Sequence, residues 1–170
     1  MFSKLSAAAL TSADEGIKSS IDKAGNGMFV FLIFILDRFT KIYILKNPSP
    51  DIGGGFFDLH INTEMAFSLP TTYFVLYPVI VVILGLLISF WKKDWKRKSV
   101  LIWPWGMIII GAVSNLMDRI QYGGVIDFIN VPYFTVFNLA DVYISIGVVW
   151  ILWHQWFHQK KNLDKNLIED

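Results

Sequence analysis

Apolar residues fall into four long runs along the chain, and short polar stretches separate them. The runs are approximately Met28 to Lys46, Tyr73 to Trp91, Ser99 to Met117 and Phe134 to Phe157. A hydrocarbon core about 30 Å thick needs about 20 apolar residues of helix, so each run is long enough to cross a bilayer. The pattern predicts an all-α membrane protein with four transmembrane helices.

The segment before the first run predicts a short helix on the membrane surface. Ser12 and Glu15 have the spacing of a capping box, and Ile17 and Ile21 recur at a helical interval. We expect the glycines in residues 25–27 to end this helix. Its longest apolar run is too short for a cleaved signal sequence, so we expect the segment to stay attached.

Positive charge sets the expected orientation. Residues 92–98 carry five basic side chains, whereas residues 47–72 carry no Lys or Arg, and basic loops stay in the cytoplasm. With four spans, both termini are then cytoplasmic. We expect an N-terminal cytoplasmic or interfacial segment (1–27), a transmembrane domain (28–157) and a cytoplasmic tail (158–170).

The composition agrees with a membrane location and excludes several functions. The chain is 54% hydrophobic and 17% charged, with a net charge of +1. It therefore lacks the clustered positive charge that nucleic-acid binding needs. It has no cysteine, which excludes a disulfide framework, a thiolate nucleophile and a cysteine-based metal site.

Ionisable side chains inside a membrane span are costly, so each one is a candidate functional residue. Asp37 and Lys41 are four residues apart in helix 1 and can pair. Asp118 and Arg119 stand at the outer end of helix 3, where we expect a snorkelling pair that ties the next loop to the bundle. Asn115 lies four residues before Arg119 and could either bind a peptide carbonyl or brace the helix end.

Asp127 and Asp141 have no basic partner within one helical turn. Both should lie near the outer leaflet, because helix 3 reaches the outer face before Asp127 and Asp141 lies within about two turns of the start of helix 4. Two carboxylates that meet in a low-dielectric site share a proton, as in aspartic proteases. The residues alone leave three interpretations open: a protease pair, a proton relay and buried structural carboxylates.

Other catalytic arrangements have less support. His154 and His158 have the spacing of a zinc-binding helix, but Gln155 stands where a metalloprotease needs its glutamate. We expect interfacial packing here and no metal site. Ser68 and Lys41 could form a nucleophile and base, but no pattern brings these two side chains together.

The polar stretches resemble the motifs of lipoprotein signal peptidase, also called the signal peptidase II family, over about residues 28–157. The matching segments are Leu36–Lys41, Asn62–Ser68, Ser114–Arg119 with Gly123–Phe128, and Phe137–Asp141. The resemblance implies an aspartyl endopeptidase of the bacterial cytoplasmic membrane. It would remove the signal peptide of a prolipoprotein by cutting before a cysteine that carries diacylglycerol, without a cofactor.

The resemblance also implies roles for single residues. Asp127 and Asp141 would be the catalytic pair, and Asp118 a structural support. The residues that would bind substrate or support the site are Asp37, Lys41, Asn62, Asn115, Arg119 and Asn138.

The alternating residues 57–62 predict a strand with one apolar face. The resemblance places this strand in a small extracytoplasmic sheet between helices 1 and 2, with an extracytoplasmic loop between helices 3 and 4. The active site would lie near the outer leaflet. The expected partners are lipid-modified prolipoproteins and membrane lipids, with no nucleic acid, and we expect a monomer.

Three positions depart from the family pattern. Glu64 replaces a glycine, Ser114 replaces another glycine, and Val142 stands where a small polar residue is common. Glu64 could add a third carboxylate near the site and raise the pKa values there. The alternative hypotheses are therefore an inactive family member, or a non-enzymatic helical subunit of a membrane complex with buried carboxylates as ion pairs or a proton relay.

Overall fold

The computed structural model describes residues 2–48, 56–63, 73–97, 99–133 and 135–169, which form four helices and three strands. The helices are α1 (Phe2–Lys46), α2 (Tyr73–Lys96), α3 (Ile102–Tyr122) and α4 (Leu139–Glu169). The strands are β1 (Phe57–Asn62), β2 (Val125–Val131) and β3 (Thr135–Phe137). The side chains of Ser12 and Glu15 lie outside the described residues, as does the whole of residues 64–72.

Helix α1 is longer than the predicted first span. It is continuous over 45 residues, or about 68 Å at 1.5 Å per residue. The expectation that residues 25–27 end a separate helix is wrong. A methyl group at Gly25 would lie 3.6 Å from the ring of Trp103 in α3, and the buried Asn26 side chain donates to the carbonyl of Ile102 at 3.4 Å. Residues 25–27 therefore lie inside one continuous helix, where they pack against α3.

Helices α1 and α3 run in the same direction. Near its middle, α1 contacts the start of α3 through Asn26 and Ile102, and near its end it contacts the end of α3 through Lys41 and Asp118. Later residues of α1 contact later residues of α3, so the two helices are parallel. The chain must therefore return between them, and α2 is the helix that lies between them in sequence.

Helices α3 and α4 pack closely through glycine. A methyl group at Gly111 would lie 2.6 Å from the carbonyl oxygen of Ala140, and one at Gly147 would lie 2.6 Å from the Ile108 side chain. Small residues let two helix backbones approach in this way. Gly111 and Asn115 lie on one face of α3 because they are four residues apart. The close contact at Gly111 therefore brings the start of α4 to Asn115.

The three strands form an antiparallel sheet in the order β1-β2-β3. The predicted strand at residues 57–62 is confirmed. The predicted loop between helices 3 and 4 is wrong, because residues 125–137 contain a β-hairpin that supplies the other two strands. β-Branched and aromatic residues favour strands. In β2 these are Val125, Ile126, Phe128, Ile129 and Val131.

Two glycines make the turn from α3 into β2. Gly123 ends α3 in the left-handed conformation with φ of 73°, and its N–H donates to the carbonyl of Arg119 at 3.1 Å. A methyl group at Gly124 would lie 2.8 Å from the carbonyl oxygen of Asn62. The turn therefore brings β2 close against β1, with Asp127 three residues further along.

Much of the apolar surface faces outward. In the described part of the chain, one helical stretch, Val75–Lys96, is long and apolar enough to cross a membrane; its mean hydropathy is 2.2, and 11% of its apolar window is buried. Val81 and Val82 in this stretch are more than 60% exposed. The core helix of a soluble protein would instead bury its valines, so this stretch is not the core helix of the described chain.

Candidate active site

Asp127 and Asp141 meet at the N-terminus of α4, and we call them the carboxylate pair. Asp127 lies in β2 and Asp141 is the third residue of α4. Both line one cavity of about 500 Å³. Asn138 binds both carboxylates: its side-chain amide donates to Asp127 Oδ1 at 2.6 Å, and its backbone N–H donates to Asp141 Oδ2 at 3.2 Å. The fold therefore brings together the two carboxylates that the sequence left without basic partners.

Each of the four oxygens of the carboxylate pair accepts an N–H hydrogen bond. Besides the two contacts with Asn138, Asn62 donates to Asp127 Oδ2 at 3.1 Å, and Asn115 donates to Asp141 Oδ1 at 2.8 Å. Every one of these donors is a neutral amide. Such donors fix the orientation of a carboxylate without supplying a full opposite charge, so the pair keeps its capacity to exchange a proton.

Asn138 also starts helix α4. Its side-chain oxygen accepts the backbone N–H of Asp141 at 3.1 Å, while the Asp141 carboxylate accepts the backbone N–H of Asn138. This reciprocal arrangement is a capping box. It explains why α4 begins at Leu139 and not at residue 134, and it holds the Asp141 carboxylate at the positive end of the helix dipole.

We expect Asn138→Ala to lower the free energy of unfolding by about 1 kcal/mol, because a capping side chain contributes that much. Asn138→Ser is the matched control, since serine also caps helices but supplies no side-chain amide to Asp127. Thermal unfolding in one detergent should therefore rank native, serine and alanine forms in that order. Equal loss in both variants would contradict the capping role.

Burial raises the pKa of Asp127 from its usual 3.8 to about 6. The amide of Asn62 opposes this rise because it stabilises the charged form, while the nearby Asp141 carboxylate adds to it. The amide of Asn138 and the positive charge of Lys41 also lower the pKa. Asp127 therefore holds a proton up to a pH near 6, well above the range of an ordinary aspartate.

Beneath the carboxylate pair lies a buried ionic cluster formed by Asp37, Arg38, Lys41 and Asp118. The Lys41 side chain is fully buried and its ammonium group has three acceptors: Asp118 Oδ2 at 2.7 Å, Asn115 Oδ1 at 3.0 Å and Asp37 Oδ2 at 3.2 Å. An ammonium group has three hydrogens. All of its hydrogen-bonding capacity is therefore used inside the protein.

The interpretation of Asp118 as a snorkelling residue is wrong. Its side chain is fully buried and pairs with both Lys41 and Arg38, because α1 packs directly against this end of α3. It also accepts the backbone N–H of Ile126 at 3.4 Å. Asp118 therefore links α1, α3 and β2, the three elements whose relative positions place Asp127.

The sequence pattern predicted no role for Arg38, and Ser114 stood out only as a departure from the family glycine. Arg38 is a member of the ionic cluster, and Ser114 is hydrogen-bonded to it: the buried Ser114 hydroxyl donates to Asp37 Oδ2 and accepts from Arg38 at 3.2 Å. Asp37 also accepts the backbone N–H of Ala140 at 2.9 Å. The only signal in the sequence was a second basic residue within an apolar run, and spacing within one helix does not predict a partner on another.

Arg119 lies at the edge of the site. Its guanidinium group is close enough to interact electrostatically with both Asp127 and Asp141, and it contacts the backbone carbonyl of Asn115 at 3.5 Å. Its side chain is half-buried. Arg119 therefore adds positive potential near the carboxylate pair without neutralising it by a direct ion pair.

All the predicted site residues in the described part of the chain gather around this cavity or beneath it. Glu64 and Ser68, with the rest of the second motif after Thr63, lie outside the described residues. His154 and His158 pack against each other far along α4, with ring centroids 4.4 Å apart and ring planes tilted by 42°. No group of three or more potential metal ligands occurs among the residues that the structure describes.

Comparison with known proteins gives one consistent result. The family model for signal peptidase (SPase) II matches residues 29–157. The lipoprotein signal peptidase of Pelagibacter ubique (strain HTCC1062) is 36% identical over 155 residues, covering 83% of this chain and 93% of the relative. That of Syntrophus aciditrophicus (strain SB) is 33% identical over 137 residues, covering 71% and 85%.

The fold also matches a solved structure. A bacterial membrane enzyme determined by the in meso method at 2.3 Å resolution superposes with a TM-score of 0.71 and 23% sequence identity. The match covers 81% of this chain and 91% of that chain. At this identity the likeness concerns the fold.

Proposed function

The chain belongs to the signal peptidase II family, and we propose that it is an aspartyl endopeptidase that removes signal peptides from lipid-modified prolipoproteins. The substrate would be cut on the N-terminal side of a cysteine that carries diacylglycerol. The observation that carries the aspartyl mechanism is the carboxylate pair, in which two acids from different elements share the amide donor Asn138 at the wall of one cavity.

The two carboxyl groups divide the chemistry between them. Asp141 accepts a proton from water as the water attacks the peptide carbonyl, because its negative charge is supported by the N-terminus of α4. Asp127 holds a proton at a pKa of about 6 and donates it to the carbonyl oxygen. When the intermediate collapses, Asp127 takes a proton back from a hydroxyl group as the carbonyl re-forms and the C–N bond breaks, and Asp141 gives its proton to the leaving amine. The chain's own residues suffice for each transfer.

A proton relay is the main alternative, because the ionic cluster lies directly beneath the carboxylate pair. The connection between the two is Asn115, which accepts from Lys41 and donates to Asp141. An asparagine amide does not titrate, so it interrupts proton movement between the two groups. This contact favours a peptidase site that the ionic cluster supports structurally, and it argues against a path for protons between the two groups.

We place the four helices across the bacterial cytoplasmic membrane, with both termini in the cytoplasm and the carboxylate pair near the outer leaflet. The parallel directions of α1 and α3 support this topology, since alternate spans must run the same way. The basic residues in 92–98 favour a cytoplasmic position for the connection between α2 and α3. The site then lies where a substrate held in the bilayer can reach it.

The direct test is cleavage by the purified chain in detergent. Two versions of one synthetic prolipoprotein peptide would be compared, one with diacylglycerol on its cysteine and one with the free thiol. Mass spectrometry should show a product that begins with the lipidated cysteine, and the unmodified peptide should remain uncut. A chain that cuts neither peptide would favour the inactive or non-enzymatic hypotheses.

The pH dependence should show which form of Asp127 is active. As the pH rises through the pKa of Asp127, the group loses the proton that it donates, so we expect the cleavage rate to fall on the alkaline side. The apparent pKa of this limb should lie at or above about 6, because bound substrate excludes water and disfavours the charged form further.

Asn62→Ala should move this alkaline limb to higher pH, because it removes an amide that lowers the pKa of Asp127. Asn47→Ala is the matched control: Asn47 is exposed, and its side-chain amide binds the carbonyl of Tyr43 in α1. Initial rates over a pH series would be measured for all three proteins. A limb that moves to lower pH in Asn62→Ala would contradict the assignment of Asp127 as the acid.

A further inference from the structure

Tyr133 is the most exposed of the large apolar and aromatic side chains that the structure describes. It lies at the turn between β2 and β3, its relative exposure is 108%, and its φ is 65°. The left-handed conformation costs a residue with a side chain about 1–2 kcal/mol. No side chain among the described residues covers Tyr133, so its ring is free to contact a surface outside the described chain.

The hairpin that carries Tyr133 lies along the flank of α4. Thr135, two residues after Tyr133, lines the same cavity as Ile146. Ile146 lies about 10 Å along α4 from its first residue and is 47% exposed. The turn therefore reaches back toward the part of α4 that, under the proposed topology, is in lipid. The exposed apolar surface continues further along α4, where Val149 is 63% exposed.

The chemistry of the hairpin suits a membrane interface. Residues 128–140 contain no charged side chain, so no charge would have to be transferred toward lipid. A second exposed aromatic residue, Phe56, lies at the same end of the sheet, because its carbonyl accepts the N–H of Asn130 at 2.8 Å. Tyrosine favours the boundary between lipid and water, since its ring is apolar and its hydroxyl can stay hydrated.

We propose that Tyr133 and Phe56 anchor the β2–β3 hairpin in the head-group region of the outer leaflet. The occupant of this surface is the bilayer that surrounds α4. The anchor would hold the cavity, whose walls come from β3 and α4, against the membrane surface, so that a lipid-modified substrate enters it from the side. The inference rests on the proposed function for the orientation of the chain in the membrane.

The absence of cysteine in the chain permits a direct measurement. Tyr133→Cys would carry a nitroxide label in proteoliposomes of phosphatidylethanolamine and phosphatidylglycerol. The relaxation of the label by oxygen, which concentrates in lipid, would be compared with relaxation by a water-soluble nickel chelate. Val149→Cys is the lipid control, and Lys160→Cys, exposed near the end of α4, is the water control.

The ratio of oxygen to nickel relaxation at Tyr133→Cys is expected to lie between those of the two controls and closer to that of Val149→Cys. A ratio equal to that of Lys160→Cys would overturn the anchor, because the hairpin would then stand in water. Protection from both reagents would overturn it as well, since a protein contact would then cover the turn. The readout does not need peptide cleavage, so it separates failure of the anchor from failure of the proposed function.

Discussion

Asp127→Asn and Asp141→Asn will each lower the rate of prolipoprotein cleavage by about 10²–10⁴-fold, the range expected when a general acid or base is lost. An amide neither accepts the proton of the attacking water nor donates one to the carbonyl oxygen at neutral pH. Single-turnover cleavage of the lipidated peptide in detergent would measure the loss. Because the two groups act on the same water and carbonyl in the proposed mechanism, the double variant should be no slower than either single variant.

Asp58→Asn is the matched control for these variants. Asp58 is an exposed carboxylate in β1 of the same sheet, and we expect its substitution to change the rate by less than about twofold, as for most surface positions. Thermal unfolding of all the variants would show that their folds are retained. The shared mechanism would be contradicted if the loss of rate in the double variant equalled the product of the two single losses. It would also be contradicted if a folded single variant still cut at the native rate.

Lys41→Met will lower the free energy of unfolding by about 3–5 kcal/mol, because it leaves the buried carboxylates of Asp37 and Asp118 with too little positive charge. Methionine has a similar length, so the change removes the charge while it preserves most of the packing. The apparent unfolding temperature in detergent should fall by roughly 10 °C. The same variant also removes the hydrogen bond that Lys41 donates to Asn115. Because Asn115 donates to Asp141, we expect the Asp141 carboxylate to be less firmly oriented.

Adding Asp118→Asn to Lys41→Met tests whether charge balance is the cause. The double variant should be more stable than the sum of the two single losses implies, since it removes one unpaired negative charge. Lys46→Met is the control, because Lys46 is exposed at the end of α1 and should change stability by less than about 0.5 kcal/mol. Equal losses at Lys41 and Lys46 would show that the cluster does not stabilise the fold.

The presence of four helices was predictable because each of the four apolar runs is long enough to form a helix of the length that a bilayer span needs. The sheet was only partly predictable. Residues 57–62 alternate clearly, whereas β2 is buried over its first four residues and lacks the alternation that identifies a half-buried strand. The start of α4 was misplaced because Phe134 to Phe137 extends the apolar run of the helix. The capping role of Asn138 marks the true boundary.

Elimination singled out Asp127 and Asp141, since they lacked basic partners within one helical turn, but it left their role open, and only the family resemblance implied a catalytic pair. The ionic cluster could not be found in this way. Lys41 has Asp37 four residues before it, yet its shorter contact is with Asp118 on another helix. Spacing along one helix reveals pairs on that helix alone, so contacts between helices require the packing of α1 on α3.

The capping box at the start of α4 has a consequence for how the site fails. Asp141 is both the residue that closes the first helical turn and half of the carboxylate pair, and Asn138 is the partner in both roles. Fraying of that turn therefore disconnects both carboxylates from Asn138 in a single event. The lifetime of the assembled site cannot exceed the lifetime of one helix end, so inactivation by heat can precede the loss of the bundle.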